Sequence, residues 1–310
     1  MTRAGFVAVI GAPNAGKSTL VNRMVGSKVS IVTQKVQTTR FPVRGVAMEG
    51  EAQMVLVDTP GIFTPRRRLD RAMVQAAWGG AREADVVVHL VDVQAQLAVM
   101  DGGGRSADRK AAKDVAAIGE GLRAASRQAI LVLNKIDRMR RDRLLSLTRA
   151  LFDERIHAEA FMISAASGAG VPDLKQRLAG LMPEGPWFYP ADQSADMPVR
   201  LLAAEVTREK VYLRVHEELP YAAAVETTAF EERRDGSARI EQTLYVEREG
   251  QRGILLGAGG ETLKWIGKAS REELSGLLDR PVHLFLHVKV KATWAEDRGL
   301  FADMGLDFDA

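Results

Sequence analysis

The chain has 310 residues, of which 46% are apolar and 27% are charged. This composition is typical of a globular protein and excludes a wholly disordered chain, which could not bury enough apolar surface. The chain contains no cysteine, and this excludes disulfide scaffolds, thiolate zinc sites and cysteine nucleophiles. No apolar run approaches the roughly 18 residues of a membrane-spanning helix. At about 150 residues per domain, the length predicts two domains.

Charge is unevenly distributed along the chain. The net charge is +3, but residues 1–199 carry 27 basic and 20 acidic side chains, whereas residues 200–310 carry 16 and 20. The last third is therefore acidic in bulk. If this part binds nucleic acid, it must do so through a local basic patch.

Five short apolar runs in the first two-thirds have the length and β-branched content of strands. They cover residues 6–10, 54–57, 86–91, 130–133 and 161–163. The intervals between them are typical of helices, most clearly over residues 74–82, 109–123 and 171–182. This alternation of strands and helices predicts an α/β fold with a mainly parallel sheet that is covered on both faces.

Polar motifs follow four of these five strands at their C-terminal ends. They are Gly11-Ala12-Pro13-Asn14-Ala15-Gly16-Lys17-Ser18-Thr19, Asp58-Thr59-Pro60-Gly61, Asn134-Lys135-Ile136-Asp137 and Ser164-Ala165-Ala166. In an open α/β sheet, ligands bind at the carboxyl ends of the strands. The four motifs are therefore expected to converge on one site.

The first motif fits the phosphate-binding pattern G-x-x-x-x-G-K-[ST] with no mismatch. Its glycines let backbone N–H groups turn toward phosphates, and the next helix offers its N-terminus to the anion. All of residues 11–19 are predicted to line the phosphates, with Lys17 at the β- and γ-phosphates and the Ser18 hydroxyl on Mg²⁺. Asp58 is expected to support Mg²⁺, and Gly61 to bring its backbone N–H to the γ-phosphate. The alternative for each motif is a plain turn.

The third motif predicts which base is bound. A carboxylate accepts two hydrogen bonds at once, and guanine presents its N1–H and exocyclic amine side by side, whereas adenine has no such donor pair. A buried Asp137 would therefore discriminate, because adenine would leave this carboxylate unsatisfied. Asn134 and Lys135 belong to the same guanine site, and residues 164–166 are expected to add a backbone N–H for guanine O6.

At these motifs residues 1–183 resemble the G domain of translation-factor-class GTPases, which is a Ras-like P-loop NTPase fold. The G-x-P-N-x-G-K-S-T loop is the form found in the branch that includes Era, Der and MnmE-type GTPases. The resemblance implies that Thr39 is the switch I threonine that coordinates Mg²⁺ together with Ser18 and Asp58. It also implies that residues 59–72 form switch II, so that both segments report the bound nucleotide.

Hydrolysis is expected to be slow. The resemblance assigns catalytic roles to Lys17, Thr39 and Gly61, but the residue after this glycine is Ile62, where Ras-like enzymes use a glutamine to orient water. An aliphatic side chain cannot orient water. Asn14 stands where related GTPases use an asparagine to hold K⁺ near the phosphates, which implies potassium-stimulated hydrolysis. The alternative is that Asn14 only braces the loop.

Two segments of the chain are predicted to be loops. Prolines and a glycine punctuate residues 184–199, which indicates a linker. Residues 98–109 depart from the family, and residues 101–106 among them are typical of a flexible loop inserted before a helix, to which we assign no chemistry. The tail after Trp294 is expected to pack as a helix or to fold over the domain.

Beyond the linker the pattern predicts the order α-β-β-α-α-β. The predicted elements are a helix over residues 201–215, strands over 222–230 and 238–248, helices over 261–266 and 271–278, and a strand over 282–290.

Gly257-Ala258-Gly259-Gly260 lies between the second of these strands and the next predicted helix. A type II KH domain, a small α+β fold, has a G-x-x-G turn at this place and uses it to clamp a nucleic-acid backbone. The middle positions carry no basic residue, so the clamp must rely on backbone N–H groups, with Lys264 and Lys268 nearby as RNA-binding cations. We therefore predict RNA binding that is salt-dependent but not very tight.

Further segments resemble Era-type GTPases, whose architecture is a GTPase followed by one C-terminal type II KH domain. They are Leu219-Pro220-Tyr221, Val225-Glu226-Thr227, Pro281-Val282-His283-Leu284, Val288-Lys289-Val290-Lys291 and Trp294. The chain is identified as a member of this family, with residues 200–310 as the KH domain and its tail. The resemblance implies GTP as substrate, Mg²⁺ and K⁺ as cofactors, and binding to the 3′ end of 16S rRNA on a maturing 30S subunit. It also implies a cytoplasmic monomer with peripheral association with the inner face of the membrane.

Two other functions stay open on the sequence. A protein ligand for the second domain is favoured by the acidic balance of residues 200–310 and opposed by the context of the G-x-x-G turn. A metabolic P-loop kinase would need an acceptor pocket and a lid, and it would not need Asn134-Lys135-Ile136-Asp137.

Overall fold

The computed structural model of the protein describes residues 1–33, 35–216 and 219–310, without the side chains of residues 138 and 141. The chain divides into two compact units. The first unit comprises Met1–Asp196 with Asp309–Ala310, and the second comprises Met197–Phe308.

A seven-stranded, mainly parallel sheet forms the centre of the first unit, in the order β6-β5-β4-β1-β3-β2-β7. Its strands are β1 (Arg3–Gly11), β2 (Val43–Glu49), β3 (Ala52–Asp58), β4 (Val86–Asp92), β5 (Ala129–Asn134), β6 (His157–Ile163) and β7 (Ala195–Asp196). The strands β6, β5, β4, β1 and β3 are parallel, whereas β2 pairs antiparallel with both β3 and β7.

Helices cover both faces of this sheet. They are α1 (Lys17–Val25), α2 (Arg68–Glu83), α3 (Val93–Met100), α4 (Ser106–Ala124), α5 (Arg141–Leu151) and α6 (Val171–Leu181). Apolar side chains of α1 and α6 pack against one face, and those of α2 and α4 pack against the other. This three-layer arrangement confirms the predicted α/β fold, and it brings the C-terminal ends of β1, β3, β4, β5 and β6 to one edge.

The sequence prediction missed two strands, β2 and β7. β2 contains a glycine and an arginine, and β7 has only two residues, so neither has the apolar pattern of a buried strand. β7 lies in the segment predicted as the linker 184–199. Gln53, on β3, also fixes that segment to the sheet. Its buried side-chain amide accepts hydrogen bonds from the N–H groups of Phe188 and Tyr189, and it donates to the Tyr189 carbonyl at 2.8 Å.

The loop predicted at residues 101–106 is found, shortened by one residue, but the helix α3 before it was not predicted. The helix α3 extends to Met100 and α4 already begins at Ser106, which leaves only residues 101–105 outside helices. The alanines, the leucine and the methionine before the glycines favour a helix. The Asp92 carboxylate starts it, because it accepts a hydrogen bond from the Gln94 N–H at 2.9 Å.

The second unit contains a three-stranded sheet in the order β10-β9-β8 with helices packed on it. Its elements are α7 (Val199–Arg214), β8 (Ala223–Glu232), β9 (Ala238–Val246), α8 (Glu249–Leu256), α9 (Glu261–Leu277), β10 (Val282–Val290) and α10 (Arg298–Asp303). β9 pairs antiparallel with β8 and parallel with β10.

The order α-β-β-α-α-β is found, but the two central helices are not the predicted ones. The prediction missed α8, whose start is fixed by the Gln251 side chain as it accepts hydrogen bonds from the N–H groups of Glu247 and Arg248. The predicted helices over residues 261–266 and 271–278 form one continuous helix, α9. Gly267 does not break this helix; it faces β10, since a Cβ atom at this position would lie 3.5 Å from Leu286 Cδ1.

The tail folds onto the second unit. The Trp294 side chain is buried and its Nε1–H donates to the Ala222 carbonyl at 3.0 Å. The short helix α10 follows and buries Leu300 and Phe301. Along the described parts of the chain, no helix combines the length and the apolar character needed to cross a membrane.

A pair of buried histidines lies away from the motifs, where β4 and β6 flank β5. The Asp153 N–H donates to His157 Nδ1 at 3.2 Å, so His157 carries its proton on Nε2 and donates to His89 Nδ1 at 3.3 Å. His89 Nε2 then carries a proton that has no hydrogen-bond partner among the described residues. Burial and the neighbouring ring lower the pKa of His89 to about 3, and burial also lowers the pKa of His157.

We predict that acid destabilises this unit through His89. The unfolded chain binds the proton with a pKa near 6.5 and the folded chain does not, so stability is complete above pH 6.5 and falls as the pH drops toward 3. Between pH 7.5 and 5 the loss from this group is about 2 kcal/mol. Urea denaturation at fixed ionic strength measures it. His89→Leu should flatten the pH dependence over this range, and an unchanged slope would contradict the assignment.

Candidate functional site

The first motif forms a tight loop between β1 and α1. Asn14 and Gly16 have positive φ angles of 63° and 99°, which turn the backbone back on itself. A Cβ atom at Gly16 would lie 2.3 Å from Asn134 Nδ2, and one at Gly11 would lie 2.4 Å from the Leu90 carbonyl oxygen. Both glycines are thus required by the close approach of neighbouring strand ends.

Lys17 lies at the start of α1 with its ammonium group inside the loop. Its Nζ donates to the carbonyl oxygens of Gly11 and Ala12 at 3.1 and 3.0 Å. Burial lowers the pKa of Lys17 to about 8, although the Asp58 carboxylate opposes this shift. Phosphate oxygens carry more charge than carbonyls, so an anion in the loop would hold this lysine in its protonated form.

Ser18, Thr39 and Asp58 meet beside the loop. Ser18 Oγ lies 2.6 Å from Asp58 Oδ2 and 2.9 Å from Thr39 Oγ1, and Thr39 Oγ1 lies 3.3 Å from the same carboxylate oxygen. Asp58 is completely buried, and its Oδ1 has no hydrogen-bond partner among the described residues. Burial raises the pKa of Asp58, while the Ser18 hydrogen bond and the Lys17 charge oppose this.

This cluster fits Mg²⁺. Hydroxyl and carboxylate oxygens are the ligands that Mg²⁺ prefers, and it commonly takes one or two protein groups together with phosphate oxygens and waters. A cation would also compensate the buried carboxylate and its unpaired oxygen. The described ranges contain no group of three or more His, Cys, Asp or Glu side chains that could hold a metal ion.

The second motif touches the phosphate-binding loop directly. Thr59 Oγ1 donates to the Val9 carbonyl at 2.8 Å, and a Cβ atom at Gly61 would lie 2.9 Å from the Pro13 backbone nitrogen. The Ile62 N–H donates to the Gly11 carbonyl at 3.1 Å, and its side chain packs in the apolar cluster under α2. The Ile62 side chain is therefore held in the core, which agrees with the expectation that it cannot orient water.

The third and fourth motifs are joined by Asn134. Its Nδ2 donates to the Ala15 carbonyl at 2.7 Å, and its Oδ1 accepts from the Ala165 N–H at 2.9 Å. Lys135 follows with a φ of 69°, and its Nζ lies 2.6 Å from Asp92 Oδ2. One buried amide thus holds three loops of the site in register.

The expectation that Asp137 is buried is wrong. Asp137 lies exposed in the 3₁₀ turn Ile136–Arg138, at the rim of the site. Its Oδ1 accepts a hydrogen bond from Ser164 Oγ at 2.7 Å, and the same hydroxyl accepts from the Ser167 N–H at 3.2 Å. Ser164 therefore orients the carboxylate without burying it.

Sequence reasoning missed two side chains that support this edge. Arg23, on α1, donates from Nε to the Ala165 carbonyl at 3.2 Å and from its terminal nitrogen to the Ala166 carbonyl. Asp92 pairs with Lys135. Neither belongs to a motif, and Arg23 is 142 positions from Ala165 in the chain, so no local signal could have revealed the contact.

The G-x-x-G turn of the second unit joins α8 to α9, not a strand to a helix. Gly257, Gly259 and Gly260 have φ angles of 70°, 58° and 80°. A Cβ atom at Gly257 would lie 2.4 Å from Thr262 Oγ1, so this position admits only glycine. Lys264 Nζ donates to the Gly259 carbonyl at 3.3 Å.

Lys268 lies on the exposed surface of α9. Its ammonium nitrogen is 3.9 Å from a carboxylate oxygen of Glu272, and both side chains are largely exposed. Such an ion pair is weak.

A parallel α/β sheet that carries a phosphate loop, a buried carboxylate with two hydroxyls and an N-K-x-D turn at one edge defines a P-loop GTPase. The comparisons agree with this class. A family described as a 50S ribosome-binding GTPase matches residues 6–135, and the KH domain family matches residues 218–295. The chain is 71% identical to GTPase Era of Caulobacter vibrioides over 308 residues, which is 99% of this chain and 98% of that protein.

GTPase Era of Maricaulis maris is 59% identical over 307 residues, which cover 99% of this chain and 98% of that protein. The chain therefore belongs to the GTPase Era family. Two solved structures, each 34% identical, cover 98% of this chain and 99% of their own. One is a variant of Aquifex aeolicus Era bound to GDP·AlF4⁻, with a TM-score of 0.85. The other is Era in complex with MgGDPNP and nucleotides 1506–1542 of 16S ribosomal RNA, with a TM-score of 0.86.

We predict that Asp137→Ala abolishes the preference for guanine. Two charge-assisted hydrogen bonds to the base would be lost, each contributing about 1.5–3 kcal/mol, so GDP should bind at least about 100-fold more weakly while ADP binding stays unchanged. Fluorescent nucleotide titration measures both affinities. Asp142→Ala, at an exposed carboxylate on α5, is the matched control and should bind GDP like the unmodified protein. Retained GDP preference in Asp137→Ala would exclude this carboxylate as the guanine determinant.

Proposed function

We propose that this GTPase is a switch whose second unit binds the 3′ end of 16S rRNA and that it assists assembly of the small ribosomal subunit. The observation that carries the proposal is the presence, in one chain, of the phosphate loop and of a G-x-x-G turn between two helices. An Era structure similar over 98% of this chain holds nucleotides 1506–1542 of 16S rRNA.

In this proposal the phosphates of GTP lie against residues 11–19. Lys17 exchanges its bonds to the carbonyls of Gly11 and Ala12 for bonds to phosphate oxygens. Mg²⁺ supplies charge neutralisation when bound, and Ser18, Thr39 and Asp58 are the residues that would hold it. Asn134 keeps the base loops in place and Asp137 accepts from guanine, while residues 164–166 offer the backbone N–H to O6.

Hydrolysis changes what Thr39 and Gly61 can contact. Thr39 hydrogen bonds to Ser18 and Asp58, two residues that would hold Mg²⁺, so the position of Thr39 depends on whether the ion and the γ-phosphate are bound. Gly61 lies against the phosphate loop at Pro13. Loss of the γ-phosphate removes one contact of the Thr39 segment and one of the Gly61 segment. GTP and GDP therefore stabilise different conformations of these segments, as a switch requires.

The RNA side of the proposal rests on backbone geometry. Three of the four residues 257–260 have positive φ angles, and the N–H groups of Gly257 and Gly260 donate to the carbonyls of Gly253 and Gly257. The N–H groups of Ala258 and Gly259 are therefore the ones that we assign to phosphate oxygens. Lys264 and Lys268 add charge at the start of α9. Because the turn itself carries no cation, the affinity should be moderate and should fall with salt.

We expect the triphosphate state to bind RNA more tightly than the diphosphate state. An oligonucleotide that copies the 3′ tail of 16S rRNA should bind about 5- to 150-fold more tightly with a non-hydrolysable GTP analogue than with GDP, the usual range for coupled sites. Fluorescence anisotropy at fixed salt measures this. Gly257→Asp should abolish RNA binding and keep GTP binding.

The outcomes separate the competing functions. Equal, weak and sequence-indifferent binding in both states would leave the GTPase and remove the RNA switch, in favour of a protein partner. Cosedimentation with purified subunits tests the assembly role, with 30S expected to bind and 50S as the control. Cytoplasmic location, a monomeric state and peripheral membrane association stay predictions from the family resemblance.

We also propose that K⁺ stimulates hydrolysis through Asn14. Asn14 is exposed in the phosphate loop and has a φ of 63°. We expect the single-turnover rate to be several-fold higher in K⁺ than in Na⁺ at equal ionic strength. Asn14→Gly tolerates the same φ and should lose this dependence. Equal rates in the two salts would contradict the proposal.

A further inference from the structure

An exposed tryptophan lies one helical turn beyond the G-x-x-G turn. Gly260 is the N-cap of α9, and Trp265 is the fifth residue of this helix. Its side chain is 39% exposed, and the guanidinium of Arg214, at the end of α7, lies 5.5 Å from the ring centroid. We call Trp265 and Arg214 the aromatic platform.

Core packing does not account for this tryptophan. The helix α9 buries a different face, formed by Ile266, Ser270 and Leu274. Trp294, in the same unit, is a core tryptophan by contrast: its side chain is 1% exposed, and its Nε1–H donates to a carbonyl oxygen. A large exposed aromatic side chain covered by a cation is typical of a binding surface.

The surroundings of the platform are positively charged. Lys264, Lys268 and Arg271 are exposed on α9, together with Arg214. The acidic residues on this exposed part of α9 are Glu261 and Glu272. Residues 200–310 are acidic overall, with 16 basic and 20 acidic side chains. The local excess of cations beside the turn is therefore the surface of this unit that favours binding of a polyanion.

We propose that the aromatic platform stacks an unpaired base of the RNA strand whose phosphates the G-x-x-G turn clamps. This inference rests on the proposed function and adds a contact to it. One helical turn is about 5.4 Å, so a strand held at residues 257–260 reaches Trp265 within its next nucleotide or two. The indole offers a face to any base, and the Arg214 guanidinium holds it in place by stacking on it.

Trp265→Ala and Trp265→Phe test the platform in the full-length protein loaded with a GTP analogue. Trp265→Ala should weaken binding of the 16S 3′-tail oligonucleotide about 5- to 150-fold, as for one lost base stack, while Trp265→Phe restores most of it. The salt dependence should stay unchanged in Trp265→Ala, because stacking releases no counterions. Leu213→Ala, at the neighbouring exposed apolar residue, is the matched control and should bind normally.

An oligonucleotide series with one abasic position at a time identifies the stacked base. One abasic position should weaken binding to the unmodified protein and have no further effect on Trp265→Ala. Unchanged affinity in Trp265→Ala overturns the inference, and so does a loss that tracks a lower melting temperature and is not rescued by phenylalanine. If the unmodified protein binds no RNA, the proposed function fails; if only Gly257→Asp loses binding, the platform alone fails.

Discussion

The nucleotide edge of the first unit depends on the buried side-chain amide of Asn134. This one group donates to the phosphate loop at Ala15 and accepts from the fourth motif at Ala165. It also sets how close the strands can come, because its Nδ2 occupies the space that a side chain at position 16 would need. Glycine is therefore required at position 16 by the packing of Asn134 as well as by the conformation of the phosphate loop. A buried amide with both ends satisfied is stable only while all three loops stay in place, so the site forms as one cooperative element.

Both units carry a glycine-containing turn directly before a helix, at residues 11–16 and 257–260. In each, glycines at positive φ precede a helix, and a Cβ atom at Gly16 or at Gly257 would lie less than 2.5 Å from a neighbouring atom. The difference lies in charge. The phosphate loop has a buried lysine with a pKa near 8, whereas the turn at residues 257–260 has only exposed lysines beyond it. In the proposed function the buried lysine favours tight binding of a small polyanion, whereas the turn without a cation favours weaker binding of a strand.

The sequence predicted features that depend on neighbouring residues, but it did not predict contacts between residues that are far apart in the chain. The positions of the motifs at residues 11–19, 58–61 and 134–137 could be predicted from the sequence. Each follows a strand, and few local structures require a glycine or a carboxylate at these fixed spacings. The same reasoning failed for Asp137, whose exposure depends on a turn and on Ser164, 27 positions away. It failed for β7, since a two-residue strand has no periodicity, and for α8, whose two glycines conceal the helical pattern. Arg23 lay beyond reach because only the folded chain brings it to Ala165.

The anchoring of residues 187–196 to the sheet bears on where the chain can be divided. A fragment that stops at the end of α6 would lack β7 and residues 188 and 189, so it would leave the edge of β2 unpaired and would lose three hydrogen bonds of the Gln53 amide. Each lost hydrogen bond costs about 0.5–1.5 kcal/mol, and three together are a sizeable part of the free energy of unfolding of a typical domain. The autonomous nucleotide-binding fragment therefore has to include Asp196, and what reads as a spacer in the sequence is the last structural layer of the first unit.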